Sequence, residues 1–146
     1  MFNKILFPVD GSGASKKALE YVLNISRKYS AEVIVLNVFE PIGDTEMRIG
    51  SGFTYLHEIE QHQKERSNTV LNETEQKLKE KGAIVKTISV GGISGLSIVN
   101  VSEKEKCDLI VIGRRSLGTV KSVLLGSVSN YVVHHATCPV LLISGE

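Results

Sequence analysis

Leu109-Ile110-Val111-Ile112 is an unbroken apolar run, too short for a helix and rich in β-branched residues. Such a run is a strand buried on both faces, which requires a parallel sheet covered by helices on either side. Val33-Ile34-Val35-Leu36-Asn37-Val38 has the same character. Lys4-Ile5-Leu6-Phe7-Pro8-Val9-Asp10, residues 83–90 and Pro139-Val140-Leu141-Leu142-Ile143 complete five strand segments, each apolar. Pro8 stands near a strand end, where a missing backbone donor costs least.

Helical patterns separate these strands. Ala18, Tyr21, Val22 and Ile25 recur at spacings of three and four, with Ser12 or Ser15 placed to cap that helix. A long polar helix is predicted over 56–81, with Ile59, Val70, Leu71 and Leu78 as its sparse apolar face and Gly82 as its stop. A third helix, over 93–105, is amphipathic through Leu96, Ile98, Val99 and Val101, and a fourth is predicted over 120–135. Residues 40–55, with Pro41 and several glycines, read as a mobile surface excursion.

The resulting order, β-α-β-α-β-α-β-α-β, predicts a single α/β domain over residues 1–146. It would be an open, Rossmann-like sheet of five parallel strands with right-handed crossovers and helices on both faces. In such sheets ligands bind beyond the carboxyl ends of the strands, where strand order reverses. Pro8-Val9-Asp10, Asn37-Val38 and Gly113 are the small or polar strand ends suited to that crevice.

Composition narrows the function classes. A formal net charge of +1, with 23% charged residues, argues against bulk attraction to nucleic acid or an anionic membrane. No apolar run has membrane-spanning length, and the N-terminal apolar segment is too short for a signal peptide, so a cytoplasmic location is expected. Cys107 and Cys138, the only cysteines, lack any ligand spacing and read as buried free thiols.

The stretch between Gly113 and Gly126 carries the chemistry. Arg114, Arg115 and Ser116 follow the strand end, and Ser127 and Ser129 follow the second glycine. Backbone donors, hydroxyls and cations converging on one spot suit a nucleotide phosphate; the competing reading of the two glycines is a turn and close helix packing. The spacing from Gly113 to Gly118-Thr119 imitates a P-loop, but Thr119 stands where its lysine must be. Asp10 would either cap the turn after the first strand or meet a ribose or cation, and Lys16 and Lys17 lie close in sequence to the same mouth. His134 and His135 point about 100° apart on a helix and read as surface residues, as do His57 and His62. No catalytic base or nucleophile can be assembled, so any hydrolysis of a bound nucleotide should be slow.

Four segments, ILFPVDGS, EVIVLNV, ISVGGISGLSIVNVSEKEKCDLIVIG and GSVSNYVVHHATCPVLLI, together resemble the universal stress protein family in its nucleotide-binding branch. The family signature is glycine, two residues, glycine, nine residues, glycine, then serine or threonine. Gly113 and Gly126-Ser127 match it, and Ser116 replaces the second glycine. Ser94 also departs, standing where the family often has proline. The resemblance implies sheet order 3-2-1-4-5 and ATP as ligand. Pro8, Val9 and Asp10 would lie on the adenine and ribose side and Val38 at the adenine edge. Ile112 and Gly113 would lie beneath the sugar and phosphates, with Arg114, Arg115, Ser116, Gly126, Ser127, Val128 and Ser129 around the phosphate tail.

In that order the last strand is an apolar edge with no charge to guard it; a two-fold dimer through Pro139-Val140-Leu141-Leu142-Ile143 would cover it, the competing reading being that the C-terminal tail or a loop does. The expectation is a homodimeric ATP-binding stress-response switch using a divalent cation, Mg or Mn. The alternative is a dimeric interaction scaffold of the same family that binds no nucleotide, which Ser116 keeps open.

Overall fold

The computed structural model describes residues 1–41, 53–114 and 125–144, with the side chains of 53–56 excepted. Five strands alternate with four helices: β1 (Lys4–Pro8), α1 (Gly13–Tyr29), β2 (Glu32–Phe39), α2 (Phe53–Glu80), β3 (Ile84–Gly91), α3 (Ser94–Lys104), β4 (Leu109–Arg114), α4 (Ser127–His135) and β5 (Val140–Ser144). The strands form one parallel sheet, as the sequence predicts, ordered β3-β2-β1-β4-β5, as the resemblance implies. Most of the 40–55 excursion, the Gly118-Thr119 pair and residues 120–124 of the predicted fourth helix lie outside the described residues.

The two-residue period of the strands divides the core. Ile5, Phe7, Val33, Val35, Leu109 and Val111 face one side, packed against Ala18 and Val22 of α1 and Leu71 and Leu78 of α2. Leu6, Ile34, Leu36, Ile110 and Ile112 face the other, against Ile98 and Val101 of α3 and Val132 of α4. Every one of these central-strand side chains is at most 6% exposed, which is why their sequence reads as continuous apolar runs.

β3 departs from that expectation. It is an edge strand whose residues alternate between exposed and partly buried, and Ile84 is 66% exposed. Two helical stripes are also rotated from prediction. Tyr21 and Leu96 are 46% and 41% exposed, while Ser26, Ser97 and Ser102 take core-facing positions. Small hydroxyls fit where the helices lie close to the sheet, and Ser26 Oγ satisfies itself by donating to Leu23 O at 3.1 Å.

The helix ends follow local chemistry. Ser12, not Ser15, is the N-cap of α1 and accepts from Ser15 N. At the end of α2, Gly82 takes φ +85°; its N–H donates to Lys79 O at 2.9 Å while Ala83 N donates to Leu78 O at 3.1 Å, a Schellman closure. The fourth helix opens only at Ser127, with Gly126 as N-cap rather than an interior glycine. His134 and His135 are exposed in its last turn, as expected, and His135 stacks on Tyr131 at 4.0 Å.

Cys107 and Cys138 are both free thiols, the first buried and the second partly so. Burial pushes the Cys107 thiol up to about 12, with the nearby Cys138 adding to the shift. Since the thiolate is the nucleophile, iodoacetamide at pH 8 should alkylate native Cys138 first. Cys107 should react about a thousandfold more slowly than an unshifted thiol. Peptide mass spectrometry over time checks this; equal rates would contradict it.

Candidate functional site

The ladder between β1 and β4 ends early. Ile5 pairs with Leu109 and Leu6 with Ile110, whereas the β1–β2 ladder continues to Pro8 and Leu36. Successive N–H groups of a strand alternate sides, and Val9 N donates toward β2, to Leu36 O at 2.8 Å. The donor that Pro8 lacks therefore faces β4. Strand order reverses at β1, and there the sheet opens into a cavity of about 390 Å³, large enough for a small organic ligand.

Ten of the sequence-predicted site residues line this cavity. Pro8, Val9 and Asp10 come from β1 and its end, Val38 from β2, and Ile112 and Gly113 from β4. Gly126, Ser127, Val128 and Ser129 come from the first turn of α4. Arg114 ends β4, partly buried, and does not line the cavity; Arg115 and Ser116 lie outside the described residues. Lys16 faces a different cavity.

Four lining residues were not foreseen as site residues: Ser15, Leu36, Ser94 and Ile98. One carried a readable signal: Leu36 lies two positions before Val38, hence on the same strand face.

Asp10 takes the turn-closing role weighed for it. Its Oδ1 accepts from Ser12 N and from Ser15 Oγ, both at 2.9 Å, which closes the turn into α1. That carboxylate also lines the cavity. Asn37, 9% exposed, donates from Nδ2 to Val9 O at 2.7 Å. A side chain thus supplies the donor that would otherwise come from the backbone of β2. Since Leu36 O faces β1, the N–H and C=O of Val38 face the same side, past the last residue of β1.

Gly113 proves to be a packing glycine. A Cβ there would lie 2.6 Å from Ala14 C and 2.7 Å from Ala14 O, so α1 sits directly against β4. Gly126 is the opposite: among the described residues, a Cβ there would meet nothing within 4 Å. Across the cavity, a Cβ on Gly95 would approach Tyr131 Cβ to 2.9 Å. This close crossing brings the start of α3 alongside the start of α4.

Both helix starts are electrostatically open. α3 has Ile93 as N-cap and α4 has Gly126; neither has a side-chain cap, and neither first turn holds an acidic residue. The first N–H groups of a helix have no intrahelical partner and carry the positive end of its dipole. Ser94 and Ser127 place both ends on the cavity wall. The chemistry offered is an apolar slot leading to an anion-binding corner. Among the described residues no group of three or more His, Cys, Asp or Glu is arranged to hold a metal, and no helix is long and apolar enough to cross a membrane.

Comparison with known proteins agrees with this architecture. The model of the universal stress protein family matches residues 1–144. Universal stress protein YxiE of Bacillus subtilis is 33% identical, over 98% of this chain and 99% of its own length. The solved structure of MJ0577, from Methanocaldococcus jannaschii, superposes with a TM-score of 0.84 at 30% identity, covering 99% of this chain and 96% of that one. A family member from Arabidopsis thaliana, solved with AMP bound, shares the fold at a TM-score of 0.73 and 24% identity, covering 97% of this chain and 91% of that one. With its sheet order, its cavity and these relationships in agreement, the chain belongs to the universal stress protein family.

Proposed function

We propose that the cavity at the β1–β4 divergence binds ATP, and that the protein acts as a nucleotide-dependent, homodimeric switch in the cytoplasmic stress response. The observation that carries this reading is the pair of uncapped, acid-free helix starts at Ser94 and Ser127 on one cavity wall. A helix start without a capping side chain forgoes about 1 kcal/mol at Ile93, and roughly a few tenths at Gly126, since glycine is a tolerated N-cap. Two such omissions at one corner suit an anion that supplies the missing acceptors. The apolar slot between Leu36, Ile98 and Ile112 fits a flat base, with the Val38 main chain at its polar edge. The AMP-bound Arabidopsis relative supports a nucleotide of this kind.

A divalent cation, Mg or Mn, fits the same arrangement. Mg²⁺ usually takes one or two carboxylates plus phosphate oxygens, and Asp10 is the carboxylate on the cavity lining among the described residues. The dimer would form through β5, which among the described residues hydrogen-bonds to β4 on one side alone.

Isothermal titration with ATP and magnesium tests the assignment, with Gly126→Ala as the diagnostic variant. The open space at Gly126 predicts a loss of stability below about 1 kcal/mol. A bound phosphate meeting the new methyl group predicts about tenfold weaker binding, roughly 1.4 kcal/mol. Absent heat, or unchanged affinity in the variant, would remove the nucleotide reading. A nucleotide-free protein in native mass spectrometry that is still dimeric would favour the scaffold.

A further inference from the structure

A second cavity, of about 360 Å³, lies on the other side of the Asp10–Ser15 wall, between α1 and α2. Its apolar floor is Phe7, Val9, Leu19 and Val70. Three cations stand around it, Lys16 from α1 with Arg66 and Lys77 from α2, and the carboxylates are Asp10 and Glu73. Among the described residues no side chain of Lys16, Arg66 or Lys77 makes an ion pair, although α2 pairs two of its other lysines, Lys64 with Glu60 and Lys79 with Glu75. The Asp10 carboxylate meanwhile takes two hydrogen bonds on Oδ1, from Ser12 N and Ser15 Oγ, and is turned into the start of α1.

The hydroxyls at this cavity point to one ligand class. Thr69 Oγ1 donates to Glu65 O at 3.0 Å and Thr74 Oγ1 to Val70 O at 2.8 Å, so neither hydroxyl has a proton left to donate. A bare inorganic anion prefers several fixed donors converging on one point. Here the donors are three long cationic side chains over an apolar floor. That combination suits a molecule with an aromatic or aliphatic body on the floor and an anionic group at the rim.

We propose that this cavity is a second ligand site, which takes an amphipathic organic anion independently of the nucleotide cavity. The ligand's body rests on Leu19 and Val70, and its carboxylate, sulfonate or phosphate is held by Arg66 and Lys77, with Lys16 opposite. Asp10 and Ser15 line both cavities and separate the two occupants.

The probe is 8-anilinonaphthalene-1-sulfonate, titrated by fluorescence into the full-length protein with and without saturating ATP. One site per chain is expected, retained in ATP, with about tenfold weaker binding in the double variant Arg66→Ala/Lys77→Ala. Both residues are exposed, so the variant's circular dichroism and melting curve should match wild type. Inorganic phosphate at millimolar concentration should not displace the probe. Unchanged affinity in the folded double variant overturns the proposal, as does complete displacement by ATP, which would put the probe in the first cavity. The titration without nucleotide is read whether or not ATP binds, so this proposal and the nucleotide reading fail separately.

Discussion

Gly113→Val is expected to lower the melting temperature by about 10 °C, whatever the fate of nucleotide binding. A Cβ at Gly113 would sit 2.6 Å from the Ala14 carbonyl carbon and 2.7 Å from its oxygen. These are backbone atoms in the first turn of α1, so no rotamer change relieves the contact. Ala14 is itself buried, and α1 is held at this end by the Asp10–Ser12–Ser15 hydrogen bonds. The remaining outlet is to lift α1 away from β4, which exposes part of the face that packs Ala18 and Val22. Overpacking of this kind costs about 3 kcal/mol, and at this chain length each kcal/mol moves the midpoint by about 2–4 °C. Differential scanning calorimetry of wild type and variant decides it; a midpoint within 2 °C would show that α1 is not seated as described. The variant is consequently a poor control for phosphate binding, because lost affinity would report a displaced helix. Gly126→Ala, with open space around the added methyl, isolates the binding effect.

The contrast between those two glycines shows what the sequence could and could not convey. Both glycines stood out by position, and both line the cavity. Their reasons differ because α1, distant in sequence, presses on one and none of the described residues presses on the other. Strands β1, β2 and β4 were legible because burial on both faces leaves an unbroken apolar run. β3 was less so, since at the edge its two-residue alternation is weak. The stripes of α1 and α3 were misplaced at Tyr21 and Leu96 because serines occupy buried helical positions, and a hydroxyl satisfied by its own helix carries no apolar signal. In the candidate site, residues at strand ends were readable from topology. Ser94 and the open start of α3 were not, because the close crossing at Gly95 and Tyr131 that brings them to the cavity is a tertiary contact.

Asn37→Asp should unfold progressively as pH rises, and this tests the hydrogen bond that keeps the cavity's upper edge in place. Asn37 is buried, with Nδ2 2.7 Å from Val9 O. An ionised aspartate there would set one oxygen against another with no donor between them. A protonated aspartate can donate to Val9 O and restore the bond. Burial and that hydrogen bond both favour the neutral form, so the folded-state pKa of the new carboxyl lies above its unfolded value of about 3.9. The variant's stability is therefore fully present below pH of about 3.9 and is lost as pH rises through the folded-state pKa. At pH 7 the expected loss relative to wild type is about 4 kcal/mol, the cost of an uncompensated buried charge. Asn37→Leu, which leaves Val9 O unpaired without adding charge, should cost about 2 kcal/mol with no such pH dependence. Urea denaturation of the three proteins at pH 4.5 and 7 separates these outcomes. Parallel losses for both variants at both pH values would mean that packing volume, not the bond to Val9, is what position 37 supplies. The bond matters to the site because it secures the end of β1 through a side chain. The N–H and C=O of Val38 then face the cavity side without having to hold the strand, ready for the edge of a base.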